Sequence, residues 1–401
     1  MMEGRKAAET VTTQNVPHVV VSSRGEERLR GGHPWIYRAD VADIRAAGGD
    51  TVAVLNPRGR IIGRALYSQQ SQIALRLLVI GEAAAGLDLW RTRLQAAIAF
   101  RESLRIDATA YRLVHGEADL LPSLVVDRYD RHVVVQALSQ GVERLLPDIV
   151  AMLTAALSPA GILARHDVRV RHLEGLDAGV TLLAGEVPAQ VTVREGRIEH
   201  MVDLWKGQKT GLFLDQRENR IAARQYARGR MLDGFSYHGA FALQLADLCD
   251  EVIALDVSEE AVAQIGRNAQ RNGITNVQAR CVNVFDELRT LERAGERFDT
   301  VVLDPPAFAK NKDAVEKAYA GYKEINLRAL KLLRPGGTLV TCSCSYHIDE
   351  ATFGQIVYDA AVDARTRVMV VEKRMQARDH PVLLGMPESY YLKCFILRKM
   401  G

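Results

Sequence analysis

Three patterns of apolar and polar positions follow one another along the chain. From His18 to about Leu78, short β-branched or alternating runs (HVVVSS, TVAVLN, RIIGRALYS, QIALRLLVI) are separated by Gly-rich turns at 31–32, 48–49 and 57–60. Such runs predict a small β-rich barrel or sandwich. Residues 85–104 switch to helical periodicity, with Leu87, Trp90, Leu94, Ala97 and Ile98 on one face. Residues 109–190 mix the two: TAYRLVHGEADLLPSLVVDRYDRHVVVQAL holds two or three strands, VERLLPDIVAMLTAAL a helix and RHDVRVRHLEGL a further strand. QVTVREGRIEHMV adds more strand. From about residue 195 the two alternate. GRMLDGF, EVIALDV, VQARCVNVF, FDTVVLD and GTLVTCS read as strands. GAFALQLADL, EEAVAQIGRNAQRNG and AYAGYKEINLRALKLL read as helices between them. This alternation predicts an α/β, mostly parallel, doubly wound sheet, whose ligands sit at the carboxyl ends of its strands.

The pattern divides the chain into a tail (1–17), a β-rich module (18–82), an α+β domain (83–190) and an α/β domain (191–401). Hydrophobic residues at 48% and charged residues at 25% exclude a disordered chain and a fibrous repeat. A net charge of +3 allows a nucleic-acid partner without demanding one. No lysine occurs between Lys6 and Lys206, so every basic residue there is Arg, the better phosphate fork; a compositional habit of the source genome explains the same fact. The five cysteines are odd in number and form no C-x-x-C, which argues against a disulfide framework or a zinc site; no metal is expected. The first residues lack the apolar core of a signal peptide, and no run reaches the ~18–20 apolar residues that span a bilayer. The expectation is a soluble, cytoplasmic protein with no membrane partner.

The candidate chemistry lies at strand ends. Asp233-Gly234-Phe235-Ser236-Tyr237-His238-Gly239 follows the first strand of the alternating region, with small residues where backbone can approach a ligand. Asp256 ends the second strand, at the spacing of an acidic residue that accepts hydrogen bonds from ribose hydroxyls; a helix cap shared with Ser258 is the plainer reading. Asn283, in CVNVF, suits an adenine edge or a turn. Asp304-Pro305-Pro306-Ala307-Phe308 ends the fourth strand: the prolines stop further pairing, Asp304 can bond a planar polar edge, and Phe308 can cover a ring. An Asp/Asn-Pro-Pro-aromatic run is typical of enzymes that methylate nucleobases. Cys342 and Cys344 end the fifth strand, with Cys344 nearer the crevice. Lys206–Arg217 is dense in polar groups and reads as a lid or as an exposed turn.

Taken together, these motifs resemble the ribosomal RNA large-subunit methyltransferase I family, cytosine-C5 methyltransferases of 23S rRNA that depend on S-adenosylmethionine. The resemblance rests on GGHPWIYRADV, AYRLVHGEADLLPSLVVDRY, GQKTGLFLDQRENR, LDGFSYHGAFAL, DPPAFAKNK, GYKEINLRALKLLRPGG, CSCS and HPVLLGMPESYYLKCFILRKM, in order over nearly the whole chain. It implies a class I methyltransferase, Rossmann-like sheet, preceded by a PUA domain and a central α+β domain. It assigns Asp233, Gly234, Phe235, Ser236, Gly239, Asp256, Val257 and Asn283 to the cofactor, together with Asp304 and, from the polar segment, Gln208, Phe213, Asp215 and Arg217. Many relatives carry Asp where this chain has Asn283. The nucleophile falls on Cys344 and base contacts on Asp304, Pro305, Pro306 and Phe308. His347 is a neighbour of the thiol that suits a surface turn.

The implied partner is ribosomal RNA of the large subunit, with a homodimer as the expected assembly. Val368–Val371 suits an edge or an interface as well as a core strand. Arg24, Arg28, Arg30, Arg38, Arg58, Arg60 and Arg64 are the candidate phosphate contacts. Cys344 is expected to ionise near neutral pH and Cys342 not to. Two other functions compete: methylation of a base nitrogen in guanine or adenine, which needs no thiol, and a non-catalytic RNA-binding assembly factor.

Overall fold

A computed structural model describes residues 16–309 and 314–401 of the chain. Most of the expected tail, and the end of DPPAFAKNK, lie outside the described residues.

The N-terminal sheet has six strands: β1 (His18–Val21), β2 (Trp35–Tyr37), β3 (Val41–Arg45), β4 (Thr51–Leu55), β5 (Ile61–Tyr67) and β6 (Ile73–Ile80). They lie in the order β2-β6-β5-β4-β1-β3. Helix α1 (Ser23–Arg30), not foreseen from the sequence, follows β1; the Ser22 side chain caps it by accepting from the Gly25 N–H. Val19, Val21, Val52, Val54 and Leu75 face one another in the core of this unit.

Helix α2 (Leu87–Ser103) leads into a five-stranded sheet, β7 (Ala110–His115), β8 (Leu124–Tyr129), β9 (His132–Ala137), β10 (Gly161–Arg165) and β11 (Val180–Gly185), with α3 (Gln140–Leu157) between β9 and β10. Trp90, Leu94 and Ala97, on the expected face of α2, are buried against this sheet. The strand expected over RHDVRVRHLEGL is a correction: β10 ends at Arg165, and Val170–Leu173 forms the short helix α4. The reason is Arg171, which is buried and donates to the Ala137 carbonyl at 2.6 Å and to Glu143 at 2.7 Å. A helical turn aims it there. A hairpin, β12 (Val191–Glu195) and β13 (Ile198–Val202), comes next.

The last sheet holds β14 (Gly229–Gly234), β15 (Cys249–Asp256), β16 (Val277–Cys281), β17 (Phe298–Leu303), β18 (Leu333–Ser343), β19 (Val368–Arg374) and β20 (Lys393–Lys399). The order is β16-β15-β14-β17-β18-β20-β19, with β20 antiparallel to both of its neighbours. The helices are α5 (Arg217–Ala223), α6 (Ala240–Leu245), α7 (Glu259–Arg271), α8 (Val284–Arg293), α9 (Val315–Leu332) and α10 (Glu350–Asp363). The strand expected through VQARCVNVF stops at Cys281, because Asn283 caps α8 and turns the chain into a helix. The order reverses beside β14, where β15 lies on one side and β17 on the other. A crevice opens at such a switch point. The carboxyl ends of β14, β15, β17 and β18 all point into it. Val368–Val371 lies on the edge strand, with Met369 and Val370 exposed. Among the described residues, no helix is long and apolar enough to cross a membrane.

Candidate functional site

The crevice is a cavity of about 840 Å³. At its floor, Asp233 is buried at the end of β14. Its Oδ2 accepts from Ser236 Oγ at 2.6 Å and from the Ala242 N–H at 3.1 Å. Its Oδ1 is buried without a partner. Burial pushes the carboxyl up to about 7, with Asp304 adding to the rise. The loop that follows is strained: Phe235 (φ 66°) and Tyr237 (φ 51°) are non-glycine residues in left-handed backbone. Such conformations cost of order 1–3 kcal/mol each and persist where the surroundings enforce them. Here the Tyr237 N–H donates to Asp256 Oδ2 at 2.8 Å, and the Tyr237 and His238 rings stack at 3.6 Å. Gly239 (φ 80°) begins α6, and a Cβ there would stand 3.1 Å from Ile265.

Asp256 does not serve as the helix cap. Ser258 does, accepting from the Ala261 N–H, while Asp256 takes the Tyr237 and Ser258 N–H groups. It faces the cavity, as does Val257. Asn283 lines the cavity too, but its Oδ1 accepts from the Phe285 and Asp286 N–H groups at 3.0 and 3.4 Å. The acceptor expected to meet an adenine amino group is therefore engaged in the cap.

The polar segment before α5 is a fixed wall of the cavity, not an exposed turn. Thr210 Oγ1 donates to Asp127 at 2.6 Å, and the Leu212 N–H donates to Tyr129 Oη at 3.1 Å, which ties the segment to β8. Arg165, at the end of β10, holds the Leu204 and Gly207 carbonyls. Gln208, Phe213 and Asp215 all line the cavity. Lys209 Nζ donates to Asp215 at 2.9 Å, and Tyr391 Oη donates to the same oxygen at 2.8 Å. Burial alone would raise the Asp215 carboxyl, but Lys209 and His380 hold it well below the usual range.

The opposite end carries Asp304 and Cys344. Asp304 Oδ1 accepts from Gln216 Nε2 at 2.8 Å, and burial lifts the carboxyl to about 6. Pro305, Pro306 and Phe308 line the cavity beside it. The Phe308 ring packs 4.5 Å from Tyr322 and 6.3 Å from Phe235. Ser345 Oγ accepts from the Ala309 N–H at 3.2 Å and bonds Tyr322 Oη at 2.9 Å, so the two strand-end loops are locked together. Cys344 is half-buried on the cavity wall, its thiol 3.9 Å from the Pro305 carbonyl. Cys342 is fully buried beside Cys394. The expectation of a thiolate near neutral pH needs correction: burial and the charge of Asp304 push the Cys344 thiol up to about 11. Cys342 is pushed well above its usual value, first by burial. His347 lies edge-on against Tyr346.

Some expected residues do not reach the cavity. Gly234 and Gly239 shape the loop from behind. Arg217 is buried with its guanidinium on Asp379, at 2.9 and 3.0 Å. It belongs to the frame behind the wall. Arg24 and Arg30, in the N-terminal unit, are ion-paired with Asp40 and Glu26. Sequence reasoning missed Glu195, His200 and Arg220, which line the cavity. Arg220 pairs with Glu195 at 2.5 and 2.6 Å. His200 is buried with both ring nitrogens unpartnered, and burial lowers it to about 4. The signal was present: alternation along β13 turns Ile198, His200 and Val202 inward, which sets one imidazole on an apolar face.

A cavity this size, with an orphaned carboxylate oxygen and an orphaned imidazole in its walls, fits a zwitterionic nucleoside cofactor. A model of the PUA-like domain matches residues 19–79, and one of S-adenosylmethionine-dependent methyltransferases matches residues 115–381. Relatives named Ribosomal RNA large subunit methyltransferase I, from Yersinia pestis bv. Antiqua (strain Angola) and Yersinia pseudotuberculosis serotype O:3 (strain YPIII), are each 38% identical over 392 residues, covering 95% of this chain and 99% of their own. Two solved structures share the fold at 21% identity, each over 95% of this chain and 99% of its own. One is a protein assigned as a methyltransferase in complex with SAH (TM-score 0.83), the other a protein assigned as a SAM-dependent methyltransferase from Streptococcus mutans (TM-score 0.80).

Proposed function

The chain belongs to the ribosomal RNA large subunit methyltransferase I family, and from that premise we propose that it methylates carbon 5 of a cytosine in 23S ribosomal RNA through a covalent adduct on Cys344. The observation that carries this reading is the position of Cys344, on the wall of the cavity that also holds Asp233, Asp256 and Asp304. S-adenosylmethionine supplies an electrophilic methyl group. Asp233 Oδ1, the cavity-wall residues Gln208, Phe213, Asp256 and Val257, and the Asn283 amide are the groups that would hold it. The rest of the chemistry belongs to the chain. The Cys344 thiolate forms a bond to carbon 6 and makes carbon 5 nucleophilic. Asp304 steadies the ring at N3 and the exocyclic amine, and Pro305, Pro306 and Phe308 wall the base. After methylation the carbon-5 proton leaves to a base, the C6–S bond breaks and the thiolate is restored. DPPAF offers no second cysteine for that release. Mass spectrometry of nucleosides from RNA incubated with enzyme and labelled cofactor tests the reading: label in 5-methylcytidine supports it, and label in another nucleoside removes it.

One observation favours a second reading. A thiol lifted to about 11 is a poor nucleophile at neutral pH, and nitrogen methylation would not need it. Substitution of Cys344 separates the two readings.

Cofactor binding should depend on pH through Asp233. Only the ionised carboxylate attracts the cofactor's ammonium strongly, and burial sets its proton loss at about 7. Calorimetry should therefore show affinity falling about tenfold per unit of pH below 7. In Asp233→Asn it should be weaker and flat with pH. A wild-type affinity that does not change between pH 5.5 and roughly 7.5 takes Asp233 out of the cofactor site.

Of the arginines proposed to contact RNA phosphates, Arg58 and Arg60 are the ones left unengaged among the described residues of the N-terminal unit. Arg38 is engaged by Tyr67 and by the Ser68 and Ser71 carbonyls, and Arg64 by the Ala83 carbonyl. Arg24 and Arg28 share Asp40. Arg58 and Arg60 are exposed in the β4–β5 turn. Replacing both by Ala should weaken RNA binding and lower the slope of log affinity against log salt by about 0.7–0.9 per lost phosphate contact. An unchanged slope would clear this turn of RNA contact. Exposed Met369 and Val370 on the edge strand support the homodimer.

A further inference from the structure

We infer that Lys393 is a positioning residue whose buried ammonium is the fixed counter-charge of the Cys344 thiolate. The inference rests on the reading of Cys344 as nucleophile and adds a group that favours its ionisation.

Lys393 opens β20 directly opposite Ser343 of β18. The strand continues through Cys394, Phe395, Ile396 and Leu397, all buried. Lys393 is itself only 1% exposed. A lysine in such a place needs a reason, because burying an ammonium costs heavily unless it is paired. Its Nζ donates to the Ser345 carbonyl at 2.7 Å and to the Tyr391 carbonyl at 2.9 Å. Both acceptors are neutral. Among the described residues, no carboxylate lies within 4.0 Å of Nζ. The carbonyl of Ser345 belongs to the residue next to Cys344, so the ammonium is anchored to the loop that carries the thiol.

The charges facing Cys344 come from every side. Asp304, after β17, and Asp215, in the wall segment, oppose its ionisation; Lys209, in the same segment, and Lys393 favour it. Lys209 is matched by Asp215 at 2.9 Å and acts as half of a neutral pair. Lys393 has no such match. The groups that favour its charge are Cys344 first and Asp349 second, and Asp349 Oδ1 already caps α10 by accepting from the Thr352 N–H at 2.7 Å. The thiolate is thus the anion this site lacks. Burial lowers the ammonium to about 8, so it carries its charge across neutral pH and loses it in mild alkali.

The test is the pH profile of Cys344 alkylation by iodoacetamide, read by peptide mass spectrometry in the full chain, with exposed Cys281 as the internal control. In Lys393→Met alkylation at pH 7 should slow roughly tenfold, the loss of about one unit of thiolate stabilisation by the charged ammonium. The difference should shrink above pH 8, where the wild-type ammonium is itself discharged. Cys281 should be unaffected, and Lys393→Arg should recover most of the wild-type profile. Identical profiles in wild type and Lys393→Met, with cofactor binding retained, overturn the inference. If Lys393→Met does not fold, Lys393→Gln against Lys393→Arg makes the same comparison. Loss of cofactor binding in all three variants assigns Lys393 to folding alone and also overturns it. A failed nucleophile reading is seen separately: wild-type enzyme would then form no adduct with RNA carrying 5-fluorocytosine, whatever the alkylation profiles show.

Discussion

Cys344→Ser should lose methylation by about a thousandfold or more while still binding cofactor and RNA. A serine hydroxyl at this site has neither the acidity nor the nucleophilicity to add to carbon 6. The same thiol should be trapped by RNA containing 5-fluorocytosine, because fluorine at carbon 5 blocks the final proton loss. The adduct should require S-adenosylmethionine, survive denaturation and map to Cys344. Geometry selects this cysteine over Cys342. The side chain of Cys342 is fully buried against β20, whereas Cys344 lies one residue past the end of β18 and lines the cavity. The pH dependence has a definite sign. Burial and Asp304 hold the thiol at about 11, so the reactive form grows as pH rises and the rate should climb with it through the neutral range. An adduct on Cys342 would exchange the two roles. An active Cys344→Ser enzyme would move the reaction to a base nitrogen.

The parts of this site that could be read in the sequence are those set by local pattern. Apolar runs ending in Asp233, Asp256 and Asp304 mark strands and their carboxyl ends, and a parallel sheet turns strand ends into a shared crevice. Cys344 is legible for the same reason. What could not be read depends on distant pairing. Arg217 sits within a motif that lines a cofactor wall, yet its guanidinium turns to Asp379, 162 residues away. Arg171 made a β-branched stretch helical through contacts with β9 and α3. Lys393 looks like any lysine near a chain end until β20 is placed against β18. Asn283 shows the converse: a residue type suited to a ligand is also suited to a cap, and the Phe285 and Asp286 N–H groups at the start of α8 reach its oxygen.

Asp379→Ala should be the most destabilising single substitution in the frame behind the site, by about 3–5 kcal/mol. Asp379 is fully buried. Its carboxylate accepts two hydrogen bonds from Arg217 at 2.9 and 3.0 Å, the Arg112 N–H at 2.9 Å and His380 Nδ1 at 3.1 Å. Its carbonyl accepts Arg101 Nη2 at 2.8 Å. One residue thus joins α2, β7 and the start of α5. Its removal leaves the Arg217 guanidinium buried with its principal anion gone, and a buried charge without a partner is the costly case. Burial alone would raise the Asp379 carboxyl, but His380 and Arg217 hold it well below the ordinary carboxylate range. A depressed folded-state value means the contribution is complete above the unfolded value of about 4. It is lost progressively as pH falls from there towards the folded one. The deficit of the variant should accordingly be constant from about pH 5 to 7 and shrink only in stronger acid. Removing Arg217 as well, in Asp379→Ala with Arg217→Met, should restore part of the loss, because the stranded charge goes with it. Cofactor affinity should fall in the single variant and partly return in the double, since Arg217 begins the helix that the wall segment enters. Denaturant titration of Asp379→Ala, Arg217→Met and the double variant at neutral pH decides the matter: an Asp379→Ala loss below about 1 kcal/mol, or a double variant as unstable as the sum of the two singles, would show that this pair does not hold the wall in place.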